Sequence, residues 1–233
     1  MALDPQAAWW DQPLAVLDFE TTGPDPEVCE PVSVAVIRLE QGRECGAFFS
    51  FLRPTIPIPP EASAIHQIYD EMVASAPALV DVAGDLARLA DHALPCGYNA
   101  IHFDRPLLHR YVQGTDCPLF DEAQGWADPL VIIRKVDRWV SGKGRHKLGR
   151  VCARYGCPIP AAEEHTALGD VRATGRLLGQ LVDRGLLRTG TTVARLVEYT
   201  QQQADEQRRD FERWLARQRA KEAQQQLQLD TDE

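Results

Sequence analysis

The chain has 233 residues, 44% of them hydrophobic, which is enough to bury the core of one ordinary domain with an appendage and excludes wholesale disorder. Its 25 basic and 34 acidic residues leave a formal charge of −9, which argues against a surface coated throughout with nucleic acid but permits a local basic strip beside an acidic site. No apolar run reaches the roughly 18 residues of a membrane span, and residues 1–13 lack the basic and apolar regions of a cleaved leader. Six scattered cysteines (Cys29, Cys45, Cys96, Cys117, Cys152 and Cys157) form no Cys-x-x-Cys pair, so a reduced, cytoplasmic chain with no membrane partner is expected.

In chain order, Leu14 to Phe19 is a short apolar run that predicts a buried strand. Val32 to Leu39 and Cys45 to Leu52 predict a second and a third, and the short connections predict an antiparallel meander. Pro54, Pro57, Pro59 and Pro60 predict a loop rather than a helix. Leu79, Val82, Leu86 and Leu89 recur at helical spacing, Cys96 to Asn99 reads as a fourth strand, and Pro106 to Val112 as a helix. Asp128-Pro129 is a helix start, a capping side chain before a first-turn proline. Leu148 to Tyr155 and Val171 to Val182 carry two further helical stripes. Early strands followed by alternating strand and helix give an α/β class with a mixed sheet flanked by helices. From Gln201 to Gln228 there are nine glutamines and neither proline nor glycine, so a long polar helix is expected, with Phe211, Trp214 and Leu215 as its large apolar side chains.

Chemistry concentrates in three blocks. Asp18 and Glu20 are two apart at the end of the first strand, so both carboxylates project from one face. Acids held together without a basic partner repel, and a hard divalent cation removes that cost. Asp104 follows Asn99 and Phe103 and precedes a helix. His165-Thr166-Ala167-Leu168-Gly169-Asp170 opens a late helix, with Thr166 able to cap it. Taken singly, each block also reads as a strand end, a first-turn acid or a solvated histidine.

Together, Asp-x-Glu, Asn-x4-Asp and His-x4-Asp in this order resemble the DEDD superfamily of 3′–5′ exonucleases in its histidine-containing, DnaQ-like branch, to which the proofreading epsilon subunit of bacterial DNA polymerase III belongs. Asp18-Phe19-Glu20-Thr21-Thr22-Gly23 is similar to that family's first motif, Pro57 to His66 to the segment that holds the terminal nucleotide, and residues 99–104 and 165–170 to the second and third motifs.

The resemblance implies a ribonuclease H-like, five-stranded mixed sheet. It divides the chain into an N-terminal extension (1–13), an exonuclease domain (14–188) and a polar C-terminal helical extension (189–233). It implies that Asp18, Glu20, Asp104 and Asp170 bind two Mg²⁺ or Mn²⁺ ions, that His165 is the general base, and that Thr21, Thr22, Ile65, His66, Asn99 and Phe103 hold the terminal nucleotides. Two such ions about 3.5–4 Å apart serve phosphodiester hydrolysis well, and an imidazole titrates in the right range for a base. The expected partner is nucleic acid with a single-stranded or frayed 3′ end, DNA ahead of RNA. An exoribonuclease of the RNase T or oligoribonuclease kind and a non-catalytic interaction module are the alternatives.

Arg134 to Arg154 carries eight basic residues against one acid, a net of +7. Within it Lys147, Arg150 and Arg154 share a helical face and are candidate phosphate contacts. The tail has three readings: a helix that docks on its own domain or self-associates, a helix for a protein partner, or a solvated extension.

Overall fold

A computed structural model describes residues 3–113 and 125–231. Cys117 lies outside the described residues, and the other five cysteines are free thiols. Among the described residues no helix is long and apolar enough to cross a membrane.

Four strands form one sheet in the order β3-β2-β1-β4: β1 (Leu14–Thr21), β2 (Pro31–Glu40), β3 (Arg43–Phe51) and β4 (Leu94–Cys96). The pairs β1–β2 and β2–β3 are antiparallel and β1–β4 is parallel. The two central strands are buried along most of their length, which is why they read as nearly unbroken apolar runs, whereas β3 is the edge and is half exposed. The helices are α1 (Pro60–His66), α2 (Asp70–Val73), α3 (Ala83–Ala90, entered through a 3₁₀ turn at Leu79–Val82), α4 (Asp104–Val112), α5 (Pro129–Val136), α6 (Leu148–Arg154), α7 (Ala167–Asp183) and α8 (Val193–Thr231).

The expected fifth strand is reduced to a single parallel bridge between Cys96 and Ala127. The next residue, Asp128, already caps α5, and Pro129 has no N–H to extend a ladder. The fourth strand also ends early. A side chain on Gly97 would come within 2.7 Å of the Ala100 Cβ and 2.8 Å of the Leu17 carbonyl oxygen, and Asn99 turns the chain at a φ of 71°. The proline-rich loop yields a helix after all, because Pro60 occupies the first helical position, where a missing N–H costs nothing.

Strand register decides which side chains meet which helix. Leu14, Val16, Asp18 and Glu20 pair with Leu39, Ile37, Ala35 and Ser33, so all eight share one face of the sheet. Gly175 of α7 lies against Leu39 and Ile37, so α7 covers that face. Arg38 points the other way and donates to the Leu89 carbonyl at 3.0 Å, which puts α3 on the opposite face. The acids of β1 therefore point toward α7.

The N-terminal segment packs against the loop between α7 and α8. Trp9 is fully buried, its backbone N–H donates to the Thr191 carbonyl at 2.9 Å, and its indole N–H donates to the Arg188 carbonyl at 2.9 Å. The first half of α8 docks across the start of α5: the Thr200 hydroxyl donates to the Trp126 carbonyl at 2.8 Å and the Gln207 amide to the Val131 carbonyl at 2.9 Å. Gly125 makes this docking possible. Its φ is +63°, and a Cβ there would collide with Val197 of α8.

Gly125→Ala is therefore expected to destabilise the protein by about 2 kcal/mol, combining left-handed strain with overpacking. Gly190→Ala, where a Cβ meets nothing within 4 Å, should be near neutral. Urea unfolding of the two variants against the parent checks the difference.

Candidate active site

Two element ends deliver three of the acids to one place. Asp18 and Glu20 come from β1 and Asp170 from the first turn of α7, and one carboxylate oxygen of each lies within 4.8 Å of the others. The start of α7 is fixed by Thr166, whose hydroxyl accepts the Gly169 N–H at 3.0 Å and donates to the Glu163 carbonyl at 2.8 Å. Gly169 is required by this fold-back, since a Cβ there would run into the Glu163 carbonyl. The same turn puts His165 in the left-handed region at a φ of 56°, exposed at the mouth of the site.

Asp104 stands behind the other three. It is 2% exposed, opens α4, and accepts the Phe19 N–H at 3.2 Å, from the residue between Asp18 and Glu20. The turn that carries it is organised by Asp128. This buried carboxylate caps α5 by accepting from Leu130 at 2.9 Å, and also accepts the N–H groups of Asn99 at 3.0 Å and Ile101 at 3.2 Å. The sequence suggests a helix cap at Asp128, and the structure adds the two bonds across the chain that hold the 99–104 turn.

Among the described residues none of the four acids is paired with a lysine or arginine. Burial, then Asp104, Asp170 and Glu20, push Asp18 well above the usual carboxylate range. Burial, then Asp170 and Asp104, raise Glu20 to about 8. Burial and the neighbouring Asp128 raise Asp104 to about 8 against the Phe19 hydrogen bond. Burial and Glu164 raise Asp170 to about 7. A converging, all-oxygen set of acids that repel one another is what a hard divalent cation requires, and the set contains no sulfur ligand. The residues present fit such an ion.

The remaining candidates stand as follows. Thr21 and Thr22 are buried, and the Thr22 hydroxyl accepts the Glu30 N–H at 2.9 Å, closing the loop after β1. Ile65 stands 56% exposed on α1. His66 is buried; its Nδ1 accepts the Ile68 N–H at 3.0 Å, and its Nε2 has no hydrogen-bond partner. Burial lowers its basicity. Phe103 is half-buried at the start of α4. From Asp170 and His165 an open cleft of about 1420 Å³ runs past Asn99 and the 142–150 loop to α8. Lys147 and Arg150 line it. Arg154 does not, and its guanidinium is held by Asp137 at 2.9 and 2.5 Å. Arg134, Arg145, Glu164 and Arg208 line the cleft as well; only the charge run hints at the first two, and nothing local to the sequence at the others.

A mixed sheet ending in clustered acids, with a histidine at the rim of a basic cleft, defines a nuclease of the ribonuclease H-like class. The exonuclease family model of RNase T type matches residues 15–178, and the chain belongs to that DEDDh, DnaQ-like family. It is 34% identical over 190 residues to a DNA polymerase III subunit epsilon-like protein of Rhodobacter capsulatus, covering 76% of this chain and 25% of that one. It is 31% identical over 189 residues to an exonuclease of Escherichia phage 186, covering 76% and 92%. The solved structure of exonuclease X in complex with 5′ overhanging duplex DNA superposes with a TM-score of 0.61 at 22% identity, covering 80% of this chain and 99% of that one. The chain thus spans a quarter of the length of the Rhodobacter relative.

The raised carboxylates set a sign. Each has a folded-state pKa above its unfolded value near 4, so the metal-free native state binds more protons than the unfolded chain until about pH 8, and stability falls as pH rises through that window. Burial lowers His66, His102 and His146, whose opposite contribution is complete by about pH 6.5. In EDTA the Tm is therefore expected to drop between about pH 6.5 and 8.5. Mn²⁺ should restore it more at the upper end, and Asp104→Asn should flatten the drop. Thermal scans across that range check all three.

Proposed function

We propose that the protein is a 3′–5′ exonuclease that hydrolyses the terminal phosphodiester bond of DNA at single-stranded or frayed 3′ ends. The observation that carries this reading is the meeting of Asp18, Glu20 and Asp170 within one ligand sphere, with Asp104 behind them. In this reading the four carboxylates hold two divalent cations, Mg²⁺ or Mn²⁺. Bound there, such ions would supply charge neutralisation at the scissile phosphate and at the leaving 3′ oxygen, and would lower the pKa of the attacking water.

The chain supplies the rest. His165 takes the proton from the water as its oxygen attacks phosphorus, and the bond to the 3′ oxygen breaks, that oxygen gaining a proton from solvent. Glu20 accepts a hydrogen bond from the terminal 3′-hydroxyl. Thr21, Thr22, Asn99 and His66 line the seat of the last nucleotide in this reading, with His66 buried behind it. Ile65 and Phe103 wedge against the terminal bases, and the exposure of Ile65 supports that role. Lys147 and Arg150 contact phosphates from the cleft wall.

Single-stranded DNA and RNA of one sequence, labelled at either end, test the reading. Mononucleotides should leave the 3′ end of DNA in Mg²⁺ or Mn²⁺ and not in EDTA. Asp18→Ala and Asp170→Ala should each lose about a thousandfold or more in kcat, and His165→Ala roughly 10²–10⁴-fold at neutral pH. Faster release from RNA would make the enzyme an exoribonuclease, and activity surviving the acid substitutions would place the site elsewhere.

A second prediction concerns the turn. Gly169→Ala displaces the 163–166 fold-back that carries His165, so kcat should fall by about tenfold or more while KM changes little. Steady-state kinetics on an oligonucleotide separates the two parameters.

A further inference from the structure

The C-terminal helix lies outside the matched exonuclease segment, yet it forms part of the site's cleft. Gln207, Arg208 and Phe211 of α8 line the same open space as His165 and Asp170. The face that docks α8 on the domain, marked by Val197, Thr200, Ala204 and Gln207, continues by seven-residue steps to Phe211 and Trp214. There the domain no longer covers it. Phe211 is 59% exposed and Trp214 52%, and their rings stack on each other at 5.8 Å and 24°. The same cleft is lined by Lys143, Arg145, Lys147 and Arg150, with Arg208 on the helix and Arg134 reaching Gln207 of the helix at 3.4 Å.

We infer that residues 207–214 of α8 are the outer wall of a single-stranded DNA path, in which Phe211 and Trp214 stack on bases upstream of the terminal nucleotide while the opposing basic loop holds the phosphates. Exposed flat rings beside a cleft lined with cations are complementary to one ligand in particular, a strand with exposed bases and a charged backbone. The inference rests on the nuclease reading, because it takes the acid cluster as the end of the path. It adds a binding wall from residues that the family model does not reach.

The test is binding without catalysis. Fluorescein-labelled oligothymidylates of two and of about twelve nucleotides are titrated in EDTA against the parent chain, the double variant Phe211→Ala/Trp214→Ala, and Phe211→Tyr. The parent should bind the longer strand more tightly. The double variant should bind it about tenfold or more weakly, so that the ratio of the two affinities collapses, and Phe211→Tyr should keep it. Oligothymidylate should quench indole fluorescence in the parent and in Trp139→Phe, but much less in Trp214→Phe.

A parent that degrades DNA while the double variant binds the long strand as tightly overturns this inference and leaves the nuclease reading standing. A parent that neither binds nor degrades DNA overturns both. A parent dimer that the double variant dissociates in sedimentation, with DNA affinity intact, overturns it in favour of self-association. Tighter binding of oligouridylate than of oligothymidylate overturns the assignment to DNA.

Discussion

Three carboxylates meet at the carboxyl end of β1 with a fourth, Asp104, behind them; among the described residues no lysine or arginine pairs with any of the four, and the rest of the architecture holds them there. Left to relax, like charges in a half-buried pocket would part or stay protonated, since one unit of pKa elevation corresponds to about 1.4 kcal/mol against the ionised form. They cannot part, because each is fixed by a different rigid feature. Asp18 and Glu20 are locked in register by eight paired residues on β2. Asp104 is bonded to the backbone of β1. Asp170 is fixed by the capped first turn of α7. The sheet serves as a clamp that stores repulsion until divalent charge is supplied.

The clamp depends on close approaches that larger residues would block. Gly97 lets the 97–100 turn fold against the Leu17 carbonyl, and Gly169 lets the 163–166 turn fold across the start of α7. Asp128 ties the first of these turns to the start of α5 through three backbone N–H groups. Its carboxyl is raised to about 6 by burial, with the three donors pulling the other way. A residue that reads as a helix cap therefore also positions the turn that leads to the acid opening the preceding helix, and it does so without entering the cluster.

What the sequence makes legible follows from the range of the interactions. The strands of the meander and the helical stripes rest on patterns a few residues long, and these elements stand where the patterns put them, with ends shifted by one to four residues. The acid blocks are legible because each carries its own spacing, although their convergence is a matter of register and packing. What is not legible is decided by more than the local pattern. Arg154 shares a face with Lys147 and Arg150, and its guanidinium is held by Asp137, seventeen residues back. Pro60 starts a helix, because only its position in the first turn distinguishes it from the loop prolines before it. The fifth strand shrinks to one bridge because the cap at Asp128 claims the chain first.

The charge distribution ties these parts together. An acidic chain that handles a polyanion must gather its cations where they act, and here residues 134–154 carry +7 against −16 for the remainder, with Arg134, Lys143, Arg145, Lys147 and Arg150 of that segment lining the cleft. Basic groups any closer would pair with the acids of β1 and displace the cations they are proposed to hold. Groups any farther would leave the backbone repelled by that same cluster, since surface fields fade within roughly 10 Å at ordinary salt. A basic wall along the cleft whose inner end is Asp170 meets both demands. The 163–166 turn adds the histidine, presenting His165 at the mouth of that cleft.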